Sequence, residues 1–162
     1  MYAEIRLDNM SATTDGSKLV SARYHNGTAY TAVQNGSILK LDSLISGEKE
    51  IWKAIAPTAN DTLGKLFVVT TPEVMYDATK VNFNEFVNAA GANVRGHIIE
   101  KGDVFSVTAE AFDAVPDLTT NKYLEVASAI TFKRASSATN ARFDLIAVET
   151  VGTKTFYVLR AL

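Results

Sequence analysis

Two Asn-Gly pairs, Asn26-Gly27 and Asn35-Gly36, constrain the first third of this chain more than any other feature. They separate KLVSARYH, TAYTAVQ and SILKLDSL, three runs with the β-branched and aromatic residues of strands. Asn-Gly favours the type I′ turn, in which both central residues take positive φ and the twist matches that of paired strands. The spacing predicts a three-stranded antiparallel meander, about 18–24, 28–33 and 37–41. Both pairs also read as glycosylation sequons, but the N-terminus shows no secretory signal, and the hairpin reading takes precedence.

Strand signals continue down the chain. KLFVVTT (65–71), bounded by Gly64 and Pro72, reads as a buried strand. KYLEVA (122–127), ITFKR (130–134), ARFDLIAVET (141–150) and KTFYVLRA (154–161) follow, the last two forming a hairpin around Val151 to Thr153. Within ARFDLIAVET, Phe143, Leu145 and Ala147 alternate with Arg142, Asp144 and Ile146, giving one apolar face. EKEIWKAIAPTAN (48–60) is open between a strand and a short helical turn, because periodicity cannot decide over so few residues. GHIIEKGDVFSVT (96–108) reads as a hairpin or strand connection, with Gly102 in the turn and its acids and lysine exposed.

Helical signals are few. Asn82 and Glu85 form a capping-box pattern, Phe83, Phe86, Val87 and Ala90 share one face, Val81 is placed as a staple and Gly91 as the C′ residue. A helix over about 83–90 is predicted, with a further helical turn at about 109–113 capped by Thr108. The expected fold is mainly β, an antiparallel barrel or sandwich carrying that one short helix. With 162 residues and 47% apolar content the chain supplies one core, so a single domain over 1–162 is expected. Residues 1–9 read either as an extended arm, with Tyr2, Ile5 and Leu7 alternating, or as the fold's own first strand.

Several function classes are disfavoured. A net charge of −2, without any block of like charge, argues against a nucleic-acid partner, which calls for a basic stripe. Without cysteine there is no disulfide, thiolate metal site or cysteine nucleophile. His25 and His97 are the whole imidazole supply and fall in no metal-binding spacing. Neither a Gly-x-Ser-x-Gly elbow nor a glycine-rich phosphate loop occurs. We therefore expect no enzyme, no cofactor and no membrane span, in a chain made and folded in a cytoplasm. Trp52 with Tyr24, Tyr30, Tyr76, Tyr123 and Tyr157 keeps a sugar-stacking β module open as an alternative.

TPEVMYDATKVNFNEFVNAAG (71–91), followed by VRGHIIEKGDVFSVTAEAF (94–112), resembles small proteins encoded in the head-gene region of tailed bacteriophages and of prophages of Gram-positive bacteria. In that group a Pro-Glu-Val-Met-Tyr-Asp-like segment precedes an Asn/Ala/Gly helix end, then an Arg and a Gly-Asp turn leading into a strand. GEKEIWKAIAPTA (47–59) is similar to their segment ahead of the first buried strand, so the resemblance spans about 45–112. It implies a head decoration, or cement, protein made in a bacterial host and placed on the virion exterior, bound to the major capsid protein and to neighbouring copies of itself. A tail, neck or baseplate component is the alternative in the same setting. The resemblance assigns no binding residue; Tyr2, Ile5, Leu7 and Trp52 are the candidate interface residues from the chain's own pattern.

Overall fold

A computed structural model describes residues 1–77 and 79–162. Among these residues eleven strands run in chain order: β1 (Ile5–Asn9), β2 (Leu19–Tyr24), β3 (Ile38–Leu44), β4 (Ile51–Ile55), β5 (Leu66–Val69), β6 (Val94–Ile98), β7 (Val104–Val107), β8 (Tyr123–Glu125), β9 (Lys133–Arg134), β10 (Phe143–Val151) and β11 (Lys154–Ala161). Five of them close a barrel in the order β2-β4-β3-β5-β6, and the other six form a sheet in the order β1-β7-β11-β10-β8-β9. The fold is mainly β, as expected.

One strand explains how the two bodies share a core. Leu66, Phe67, Val68 and Val69 of β5 are all fully buried, because both faces of the strand are packed. Leu66 and Val68 join Ile38 of β3 in a cluster with Phe105, Val107, Phe143, Leu145 and Leu159 of the sheet. Phe67 and Val69 point the other way, into the barrel with Leu39, Ala54, Ala22 and Val94. Period-two alternation thus splits one apolar run between two cores. The sheet-side core is aromatic at its centre: Phe132 stacks edge-on against Phe143 at 5.2 Å between centroids and lies tilted against Phe105 and Phe112 at 5.9 and 5.8 Å.

Several local expectations change. Gly27 and Gly36 take positive φ as the turns require, but Asn26 and Asn35 do not, so neither turn is type I′. Asn26 instead accepts the backbone N–H groups of Thr28 and Ala29, an Asx-type turn after which the chain returns to β2 only as far as Thr31, whose N–H donates to the Tyr24 carbonyl. The predicted strand at 28–33 is reduced to isolated bridges, His25 to Tyr30 and Val33 to Asn88. β2 and β3 do not pair; β2 lies between β6, antiparallel, and β4, parallel, so the barrel is not wholly antiparallel. The open segment at 48–60 resolves as strand β4.

The helix predicted over 83–90 is one 3-10 turn, Phe83–Glu85. Its capping signal is real, since Glu85 accepts the backbone N–H groups of Val81 and Asn82. Propagation stops at Phe86, which is extended, because Asn88 is drawn away into a bridge with Val33 and donates its side-chain amide to the Val33 carbonyl. The turn at Ala109–Ala111 forms as expected, but the Thr108 side chain does not cap it: the hydroxyl donates to Glu110 and accepts from the Glu4 N–H. Residues 96–108 connect two bodies rather than closing a hairpin, with β6 in the barrel and β7 in the sheet. Asp103 in that turn is buried, holding the N–H groups of Ser11 and Glu100, and Glu100 pairs with Lys18.

Candidate interaction surface

Between β5 and β6 the chain makes an excursion over residues 70–93, and its base is fastened at several points. The buried Asn35 side chain donates to the Thr71 carbonyl at 2.7 Å and to Glu73 at 2.8 Å, and accepts the Thr71 N–H at 3.1 Å. Asn88, also buried, donates to Asn35 and to Val33. Thr70 donates its N–H to the Arg95 carbonyl and its hydroxyl oxygen lies 2.6 Å from His97 Nδ1. Burial, reinforced by the nearby Arg95 charge and partly offset by Asp103, holds the His97 imidazole below its ordinary pKa. His97 is thus a neutral structural partner at the foot of the excursion.

Beyond this base the apolar side chains face solvent. Tyr76 is 97% exposed and Val81 77%, with Val74 and Phe83 also exposed. Val74, Met75, Tyr76, Phe86 and Val87 line a surface groove of about 150 Å³ whose polar rim is Asp77, Lys80 and Glu85. The Asp77 carboxylate sits below its ordinary pKa because the Thr79 hydroxyl and N–H both donate to it. An apolar surface with a polar rim is the usual anatomy of a protein contact.

The N-terminus extends this surface. Tyr2 donates its N–H to the Asn84 carbonyl, and the Asn84 amide reaches Met1 Sδ at 3.4 Å. Met1 and Tyr2 are exposed there, and the Lys154 ammonium, ion-paired with Glu4, lies 5.9 Å from the centre of the Phe83 ring. A second groove of about 340 Å³ opens beside them, lined by Met1, Glu4, Asn84, Glu110 and Lys154.

The four candidate interface residues are therefore divided. Tyr2 joins the exposed surface; Ile5 and Leu7 lie on β1, the strand paired with β7, and pack half-buried against the sheet-side core. Residues 5–9 are thus seated in the chain's own sheet rather than extended as an arm. Trp52 is on the barrel, half-buried against the second core, beside a separate groove with Glu50 and Arg95. Val74, Tyr76, Val81 and Phe83 carry no interface signal in the sequence. Val74, Tyr76 and Val81 lie among charged residues between Pro72 and Asn82, and Phe83 falls on the face of the expected helix, so neither pattern marks them as solvent-facing.

The remaining chemistry-bearing residues are scattered. His25 accepts the Gly27 N–H and packs edge-on against Tyr30 at 5.1 Å. Among the described residues no group of three metal-ligating side chains comes together, and no helix is long and apolar enough to cross a membrane. No family model, curated protein or solved structure matches the chain.

Proposed function

We infer that this chain is a non-enzymatic structural protein of a tailed-phage virion, which binds the outer surface of the capsid lattice and braces it. The observation that carries the reading is the coincidence of two features on one segment. Residues 71–91 hold the stretch that resembles phage head proteins, and they are also where the fold leaves large apolar side chains in solvent on an anchored backbone. An apolar surface carried on a fastened base suits a protein that docks on a partner, because the anchored ends limit the order lost on binding. On a symmetric lattice the contact repeats at every equivalent position, so a small interface per copy is enough to brace the shell.

Quantitative mass spectrometry on purified particles of the phage or induced prophage encoding the chain tests this reading. A ratio to the major capsid protein near one, or a simple fraction of it, is expected. A handful of copies per particle would place the chain in the tail or neck, and absence from particles would overturn the reading.

A further inference from the structure

Among the described residues, three open edges of the six-stranded sheet differ in how they are guarded; a short flank of β11, Lys154–Phe156, is also without a partner on the β7 side. Edge strands present unpaired N–H and C=O groups, which natural sheets protect with short strands, charges or bulges. β9 is two residues long, Lys133 and Arg134. β1 carries Arg6 and Asp8 as an ion pair and a register irregularity between Leu7 and Asn9. The third edge belongs to β10, because β8 pairs only with Phe143 and Asp144. Residues 146–151, Ile-Ala-Val-Glu-Thr-Val, have β11 on one side and no described strand on the other. This edge holds no Lys, Arg or Pro, and its one acid, Glu149, is tied to Arg6 of β1 at 2.9 Å. Ile146, Val148 and Val151 are exposed along it.

The direction of its hydrogen-bonding groups follows from the hairpin. Val151 and Lys154 close β10 onto β11 across a two-residue turn in which Gly152 has φ +62°. Such a closing pair exchanges both hydrogen bonds, and bonded and non-bonded pairs then alternate along the ladder. Glu149 and Ala147 bond to β11, while Val148 and Thr150 turn their N–H and C=O groups away. The irregularity between Leu145 and Ala147 inverts this phase, consistent with the Leu145 N–H donating across to the Lys122 carbonyl on the β8 side. Among the described residues nothing hydrogen-bonds the outward backbone of Val148 or Thr150.

We propose that residues 146–150 pair antiparallel with the same segment of a second copy of this chain, about a two-fold axis through Val148. The segment is complementary to itself in that register. Val148 faces Val148 of the second copy and the two exchange both backbone bonds; Glu149 falls opposite Ala147, and Ile146 opposite Thr150. Acid never faces acid. A register centred one residue later would set Glu149 against Glu149 and turn the outward groups out of phase. The two-fold pairing also closes on itself, so it consumes the open edge without seeding a filament.

Light scattering across a concentration series, with far-UV dichroism and melting curves as fold controls, tests this pairing. The wild type is expected to dimerise. Val148→Pro removes an outward N–H without touching a bond to β11, and Val148→Lys sets like charges at the axis. Each is expected to weaken dimerisation by at least about tenfold while leaving the melting midpoint near that of the wild type. Because the chain has no cysteine, Val148→Cys reports independently: on oxidation it should give a covalent dimer, whereas Thr28→Cys, on an exposed turn of the barrel body, should not. A chain that stays monomeric at its highest soluble concentration overturns the proposal, as does a dimer that survives Val148→Lys or fails to crosslink through Val148→Cys. Should Val148→Pro lose the fold, the lysine and cysteine variants decide. None of these outcomes bears on whether the chain is found in virions.

Discussion

Replacing Gly96 with alanine is expected to cost at least about 3 kcal/mol of folding stability, lowering the melting midpoint by roughly 6–12 °C. Gly96 lies on β6, opposite Val69 of β5 and Val20 of β2, with the Phe67 ring laid across its backbone inside the barrel. A Cβ at this position would stand 2.1 Å from Phe67 Cδ2 and 2.7 Å from Cε2. The obstructing atoms belong to a fully buried aromatic ring, with no flexible end to swing aside. A five-stranded barrel has a narrow interior, and one large ring fits only where a neighbouring strand lacks a side chain. Thermal and urea melts measure the cost. A double-mutant cycle with Phe67→Leu tests the cause: in the double variant the two penalties should fall well short of adding. Strict additivity would mean that the ring does not set the penalty.

Phe132→Ala is expected to be as damaging, about 3–5 kcal/mol, because it empties the centre of the sheet-side core. Phe132 is fully buried within 6 Å, centroid to centroid, of Phe105, Phe112 and Phe143. Its backbone also fastens a segment outside the named strands, donating to the Ala111 carbonyl and accepting from the Asp113 N–H. Loss of the ring therefore removes burial and loosens the covering loop together. Since Leu66, Val68 and Ile38 of the barrel belong to the same cluster, the barrel should melt with the sheet in one transition. Phe132→Leu retains part of the volume and should recover about half the loss. The check is urea unfolding followed by far-UV dichroism and by Trp52 fluorescence, which reports the barrel. Two separate transitions would contradict a shared core.

The parts legible in the sequence are those set by local chemistry or by complete burial. KLFVVTT read as a buried strand because β5 is covered on both faces, which erases alternation and leaves a continuous apolar run. The final hairpin was legible because two short-range signals, a strand pair and a glycine turn at Gly152, agree with the tertiary pairing. The meander was not, since the partners of β2 are β4 and β6, and parallel pairing leaves no mark in turn residues. At 83–90 the capping box is present but the helix is not, because Asn88 bonds to Val33 and Asn35 and ends the turn early. The same residues carry the candidate interaction surface. Phe83 fits the amphipathic face and Val81 the staple position, and neither pattern distinguishes an apolar residue facing a core from one facing solvent.

Binding to capsid shells that lack the protein tests most directly whether the excursion is the docking surface. Purified wild-type chain and a Tyr76→Ser/Phe83→Ser variant would be titrated onto such shells and the bound fraction read by sedimentation. Both side chains are exposed, so the variant should melt like the wild type, while its affinity for the shell should fall at least about a hundredfold. Undiminished binding by a folded variant, with Tyr76 and Phe83 both gone, would contradict the assignment of residues 71–91 as the docking surface.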